Sequence, residues 1–292
     1  MPPPRRRISL PSKTLTLLPQ HHPEMPAITA LMTPKPNPQP DPSPKHHHSH
    51  GGLPRNRLGL GVYLSHPPSS FPPKTIIFEN ANFVAIHDKF PKSTIHTLLL
   101  PRSPAHNLLH PFEAFQDEQF LQQVQQQVVY LKTLVAKELQ RRLGQYSRAE
   151  RARQAVLDGG EVHAEEVEET EEDAREGSIL EPGALPPGRD WEAEVISGVH
   201  AVPSMSHLHI HVLSRDMHSE NMKHRKHYNS FNTPFLVDVM DWGARGEGVP
   251  QTGLGRELSS ELRCWRCGKG FGNGFKKLKD HLEEEFLSWR SL

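Results

Sequence analysis

Seven residues, His207-Leu208-His209-Ile210-His211-Val212-Leu213, constrain this chain more than any other stretch. Strict alternation of polar and apolar residues suits a strand, where successive side chains point to opposite faces. The spacing predicts a strand over His207–Ser214, with Leu208, Ile210 and Val212 in the core and three imidazoles on the other face. Such a row can address a metal or a phosphate. Residues i and i+4 of a strand stand roughly 13 Å apart, too far for His207 and His211 to share one zinc. The row therefore reads as a phosphate face.

Around this segment the chain is uneven. It has 292 residues, 34 bases and 34 acids, and only 35% hydrophobic residues, against roughly 45–50% by a similar count in a soluble domain. Much of it is not core. Residues 1–57 hold 14 of the 28 prolines, together with HHHSH at 46–50. Proline at alternate positions removes donors and blocks helix, so a disordered, basic arm is expected there. Its first 23 residues carry Arg5, Arg6, Arg7 and Lys13 and no acid. That pattern fits a nuclear signal, with a mitochondrial presequence as the lesser alternative. Two cysteines exclude a disulfide-rich secreted scaffold, and no apolar run approaches the ~18 residues of a membrane span.

The zero net charge conceals an acidic run. Residues 158–181 hold eleven acids and one base, so the rest of the chain carries a surplus of ten bases. A basic remainder suits a polyanionic partner, and from charge alone it suits plain solubility equally well. Residues 145–189 read as a flexible acidic insertion, with an acidic helical extension as the alternative. The remaining pattern gives two short strands over Thr75–Ile86 around Glu79-Asn80-Ala81-Asn82, and a strand over Thr94–Leu100. A long helix follows over 112–143, then strands at Glu192–His200 and His207–Ser214. The expected architecture is α+β with a mainly antiparallel sheet, over residues 58–242. A hinge at 243–260 and a compact module at 261–292 complete the chain.

That module holds Cys264-x2-Cys267-x13-His281-x3-Glu285. Cys-x2-Cys followed by ligands at i and i+4 of a helix is zinc-finger spacing, and Glu285 stands where a second histidine is usual. Residues 263–279 hold Arg263, Arg266, Lys269, Lys276, Lys277 and Lys279, with no acid, beside Trp265, Phe271 and Phe275. Cations interleaved with aromatics suggest a DNA-binding surface.

The histidine row is similar to the signature of the histidine-triad nucleotide hydrolases and transferases. Three further motifs resemble the aprataxin branch of that family: Asp88-Lys89-Phe90-Pro91-Lys92, the stretch HAVPSMS at 200–206, and KHYNSFNT at 226–233. With the finger, the resemblance covers about residues 58–144 and 190–290. It implies a histidine-triad fold and the removal of AMP from 5′-adenylated DNA ends, left by abortive ligation, in strand-break repair. His209 matches the nucleophile that forms a covalent AMP–histidine intermediate. His207 and His211 would orient phosphate oxygens, and His200 matches the proton donor to the leaving group. Ser204 and Lys226 match phosphate contacts, and Asp88 the acceptor of the ribose hydroxyls. Lys92 and His96 look like pocket residues, and Phe90 like part of the base site, whereas Leu100 reads as core. Fungal-type aprataxins are similar in using a Cys-Cys-His-Glu finger, so one structural zinc is expected, with no catalytic metal or redox cofactor. The expected partners are adenylated DNA and the product AMP, with no membrane, and the expected state is a monomer. The rival readings are a general histidine-triad hydrolase of small nucleotides or nucleoside phosphoramidates, and a non-enzymatic DNA-binding scaffold.

Overall fold

The computed structural model describes residues 57–159, 185–242 and 255–292. The proline-rich arm, most of the acidic run and the first part of the hinge lie outside them. Six strands form one sheet: β1 (Ile76–Glu79), β2 (Phe83–His87), β3 (His96–Pro101), β4 (Val195–His200), β5 (Ile210–Ser214) and β6 (Leu236–Val237). Their spatial order is β1-β2-β3-β5-β4-β6, and every pairing is antiparallel. The expected α+β architecture is the one observed. The first hairpin turns where Asn80 Oδ1 accepts from the backbone N–H of Asn82 and Phe83, an Asx turn of the kind the polar tetrad suggested.

The long helix is divided. A short helix α1 (Val62–Ser65) precedes the sheet, and α2 (Pro111–Ala114) is followed by α3 (Glu118–Leu143). Apolar spacing runs through Phe115 and predicts one helix, but Asp117 has extended backbone and its side chain accepts from Phe120 N. It therefore acts as an N-cap and starts a new helix. Val124, Val128, Leu131, Val135 and Leu139 then lie fully buried against the sheet, each contributing about 1.5–3 kcal/mol of burial.

Opposed residues in an antiparallel pair share a face. Leu99 pairs with Ile210 in the register of β3 on β5 and packs with it against α3. On the other face, His211 stands opposite both Leu98 and Gly198, and His96 opposite Leu213. One face of the sheet holds the α3 core and leaves the other for the histidines.

Three expectations need correction. Strand β5 begins at Ile210, three residues late, because the preceding N–H groups are used elsewhere. Ser206 N donates to Arg57 O and Leu208 N to Asn107 O. Secondly, the insertion does not begin at 145. Helix α4 (Arg148–Leu157) continues the ordered chain, capped by Ser147, and Glu150 accepts from Trp191 Nε1 at 2.7 Å. Thirdly, the finger is not a module set apart by a hinge. Its hairpin β7 (Leu262–Arg263) and β8 (Gly270–Gly272) precede α6 (Phe275–Arg290). Leu262, Cys264, Leu278 and Leu282 share one core with Leu213, Met217 and Tyr228, while Trp289 is buried in the α3 core. Helix α5 (Arg225–Asn229) is tied to the same region, with Arg225 and Asn229 both donating to Ser260 O.

Candidate active site

His209 sits just before β5 with its Nδ1 2.7 Å from His207 O. A carbonyl only accepts, so Nδ1 carries the proton and Nε2 keeps its lone pair. Burial pushes the pKa of this imidazole down, against the opposing influence of the His207 carbonyl and Asp88. The ring is neutral at pH 7, and a neutral imidazole with a free Nε2 is a nucleophile.

The neighbouring tautomers follow by the same reasoning. His96 Nδ1 accepts from Lys92 N at 3.1 Å, so its proton is on Nε2. That Nε2 lies 2.9 Å from His211 Nδ1. His211 Nδ1 must then accept, and its own proton is placed on Nε2, a buried atom without a protein partner. His200 Nε2 is likewise buried and unpartnered, and its ring centroid stands 4.4 Å from that of His211. Burial, reinforced by His209 and His96, lowers the pKa of His200 to about 3, and burial lowers that of His96 to about 4. Unpaired polar atoms in a buried site cost free energy unless a ligand meets them. The unpartnered His211 N–H beside a nucleophilic imidazole nitrogen suits an anionic group.

Asp88 reaches the cluster from the end of β2, with Oδ2 3.6 Å from His96 Nε2. Burial raises its pKa, but His96, the Phe90 N–H, Lys92 and His209 together outweigh this and leave it a carboxylate. Asp88, His96 and His211 also bring ligand atoms within 4.8 Å of one another, a metal-like spacing. The tautomers oppose that use, because the His96 Nε2 lone pair is not free while Lys92 N–H holds Nδ1 as an acceptor.

In the finger, ligand atoms of Cys264, Cys267, His281 and Glu285 all fall within 4.8 Å. Cys267 Sγ and Glu285 Oε1 each lie 3.2 Å from His281 Nε2. Bonds of about 2.0–2.3 Å to one tetrahedral ion require ligand separations of this order, so the four residues fit zinc. Glu285 faces the other ligands while Glu284 is exposed. The second carboxylate oxygen of Glu285 accepts from Arg266 at 2.8 Å, and that bond is the main cause lowering its pKa.

Comparison with known proteins agrees with both halves. The HIT domain family model matches residues 71–218, and the C2HE / C2H2 / C2HC zinc-binding finger model matches residues 232–288. The aprataxin-like protein of Schizosaccharomyces pombe is 31% identical over 238 residues, covering 80% of this chain and 82% of the relative. The chain belongs to the aprataxin-like branch of the HIT family. The aprataxin-like protein of Saccharomyces cerevisiae is 29% identical, covering 80% of this chain and 96% of its own. A crystal structure of the aprataxin ortholog Hnt3 in complex with DNA superposes with a TM-score of 0.59 at 28% identity, covering 80% of this chain and 96% of that one.

Within this aprataxin-like frame the predicted residues divide. His200, His207, His209, His211, His96 and Asp88 converge. His96 is buried and its Nε2 lies against His211 Nδ1. Lys92 is half-buried close to Asp88, and its pKa is depressed first by burial and also by Lys223. Ser204, Lys226 and Phe90 are exposed, whereas Leu100 is core. In the finger, Lys269, Lys276 and Lys277 are exposed and Lys279 is half-buried. Arg263 pairs with Glu261, and Arg266 with Glu285. Trp265 is not a free stacking face: it packs against both cores, edge-on to Trp289 and under Arg215. Its indole ring is used to join the finger to the sheet.

Three further residues matter. Phe231 packs its ring 4.9–5.3 Å from those of His96, His200 and His211. Tyr228 OH donates to Arg263 O and accepts from Trp265 N, both at 2.9 Å. Both belong to the KHYNSFNT stretch, and their aromatic character inside a polar motif was the available signal. Lys223 lies just before that stretch and carried no sequence signal of its own.

Proposed function

We propose that this chain hydrolyses DNA 5′-adenylates, releasing AMP and restoring a 5′-phosphate end. The observation that carries the proposal is the His209 Nδ1–His207 O hydrogen bond, which leaves a neutral Nε2 beside two unpartnered imidazole nitrogens. In the first step His209 Nε2 attacks the α-phosphorus of the adenylate. The N–P bond forms, the P–O bond to the DNA 5′-phosphate breaks, and its electron pair leaves with that oxygen. The ring becomes a phosphorylated imidazolium, and the His207 carbonyl stabilises its remaining N–H. His211 Nε2–H donates to the transferring phosphoryl group, as oxyanion stabilisation requires. A phosphate monoester has a second pKa of about 6, so the departing DNA phosphate needs little protonation. His200, neutral at pH 7 because burial lowers its pKa to about 3, is therefore not required as a full acid in this step. Water attacks phosphorus in the second step, the P–N bond breaks, and the proton lost by water passes to solvent as AMP leaves.

DNA as substrate is supported by the Hnt3 structures in complex with DNA and with DNA and guanosine, and by the exposed finger lysines joined to the catalytic core. One zinc held by Cys264, Cys267, His281 and Glu285 would supply structure and no chemistry at phosphorus. The chain is proposed to act as a monomer, in the nucleus.

The test uses the full chain with 5′-adenylated nicked DNA. AMP release is expected, and adenylated DNA should outcompete a small dinucleotide. His209→Ala should abolish release while DNA binding stays within a few-fold. Near-normal turnover in that variant would overturn the assignment.

A further inference from the structure

The first described residues lie across the loop that leads into the triad. Arg57 Nε donates to Ser204 O at 3.2 Å, and Arg57 O accepts from Ser206 N at 2.8 Å. Leu60 is buried with Val84, Ile86, Leu98 and Leu100, and Met205 packs on the same cluster. The chain thus bonds to the 204–206 loop from one side and anchors in the core from the other. Gly61 follows, at the start of α1. Its φ is −61°, ordinary for any residue, so backbone freedom does not explain a glycine here. Space does. A Cβ at Gly61 would lie 2.6 Å from His207 Cε1 and 2.8 Å from His207 Nε2. The imidazole of His207 stands where any side chain would begin.

We infer that Gly61 is a positioning residue for catalysis: its bare α-carbon is the surface that sets the place of the His207 ring beside the nucleophile. The inference rests on the proposed reaction but has a reading independent of it. His207 Nδ1 is buried without a partner, so no hydrogen bond fixes that atom and the contact with α1 is the constraint. A methyl group at Gly61 must push the ring aside, because the alternative is to move a helix whose neighbour Leu60 is buried. Alanine is favoured over glycine at helical backbone angles, so the change does not by itself unfold the chain.

The experiment is Gly61→Ala in the full chain. Turnover of adenosine 5′-phosphoramidate and of adenylated DNA should both fall about tenfold, the loss of roughly one hydrogen-bonded contact in the transition state. KM should change less than kcat, and the melting temperature should not fall. With histidine labelled at Cε1, the His207 resonance, assigned by its loss in His207→Ala, should move in Gly61→Ala. Placing Gly61→Ala on His207→Ala should cost nothing further. An unmoved His207 resonance overturns the inference, and so does a full kcat loss persisting without His207. If the wild-type chain releases AMP from neither substrate, the proposed function fails, while the resonance still tests the contact.

Discussion

Tyr228→Phe asks whether the finger and the triad are one unit. The Tyr228 hydroxyl bridges Arg263 O and Trp265 N, the residues on either side of Cys264. Phenylalanine keeps the packing and removes only that bridge. The Trp265 N–H loses its partner, and an unsatisfied backbone donor of this kind costs about 1–3 kcal/mol. For a folded unit of this size, 1 kcal/mol lowers Tm by about 2–4 °C, so a fall of about 2–12 °C is expected. The effect should extend beyond stability. Tyr228 is followed three residues later by Phe231, whose ring meets those of His96, His200 and His211. Loosening the knuckle should therefore lower turnover of a small adenylate a few-fold, alongside turnover of DNA. The assays are thermal melting, zinc release to a chelator, and kcat on both substrates. If melting and small-substrate kcat stay at wild-type values while DNA binding alone weakens, the finger is a separable clamp and the shared core has been given too much weight.

Two other outcomes follow from the same structure. His96 and His200 titrate at about 4 and about 3 when folded, below the 6.5 of the unfolded chain. The unfolded chain binds the extra protons, so the stability is fully present above pH 6.5 and is lost as pH falls towards 4. With two protons at about 1.4 kcal/mol each per pH unit, the slope approaches about 3 kcal/mol per unit, and a urea midpoint that does not move between about pH 7 and pH 5 would refute it. Replacing 160–184 by a short Gly/Ser linker should leave melting unchanged and tighten DNA binding by removing a tethered polyanion. Deleting 150–187 should destabilise the chain, since Trp191 Nε1 loses Glu150; equal melting curves for the two deletions would show α4 to be dispensable.

The features legible in the sequence were those set by local periodicity. The alternation at 207–213 located a buried segment facing α3 correctly even though its first three residues lie outside the ladder, because Leu208, Ile210 and Val212 keep period two through the transition. The turn at Asn80 and the ligand spacing of the finger are local in the same sense. What stayed hidden depends on partners far away in the chain. Residue spacing could place Cys264 beside Cys267, but not Leu262 and Leu278 against Leu213 and Tyr228, the contacts that make the finger part of the catalytic core. Trp265 read as a stacking face because aromatics among cations usually are; its contacts with Trp289 and Arg215 lie 24 and 50 residues away. The sharpest case is His96. As a residue type in PKSTIH it suggested a pocket. Its use is decided by one backbone N–H, that of Lys92, which fixes the proton on Nε2, makes His211 Nδ1 the acceptor and leaves His211 Nε2–H without a protein partner. Identity and spacing name the imidazoles, but the proton on each nitrogen is decided by hydrogen bonds that only the folded chain forms, and that placement separates a nucleophile from a donor.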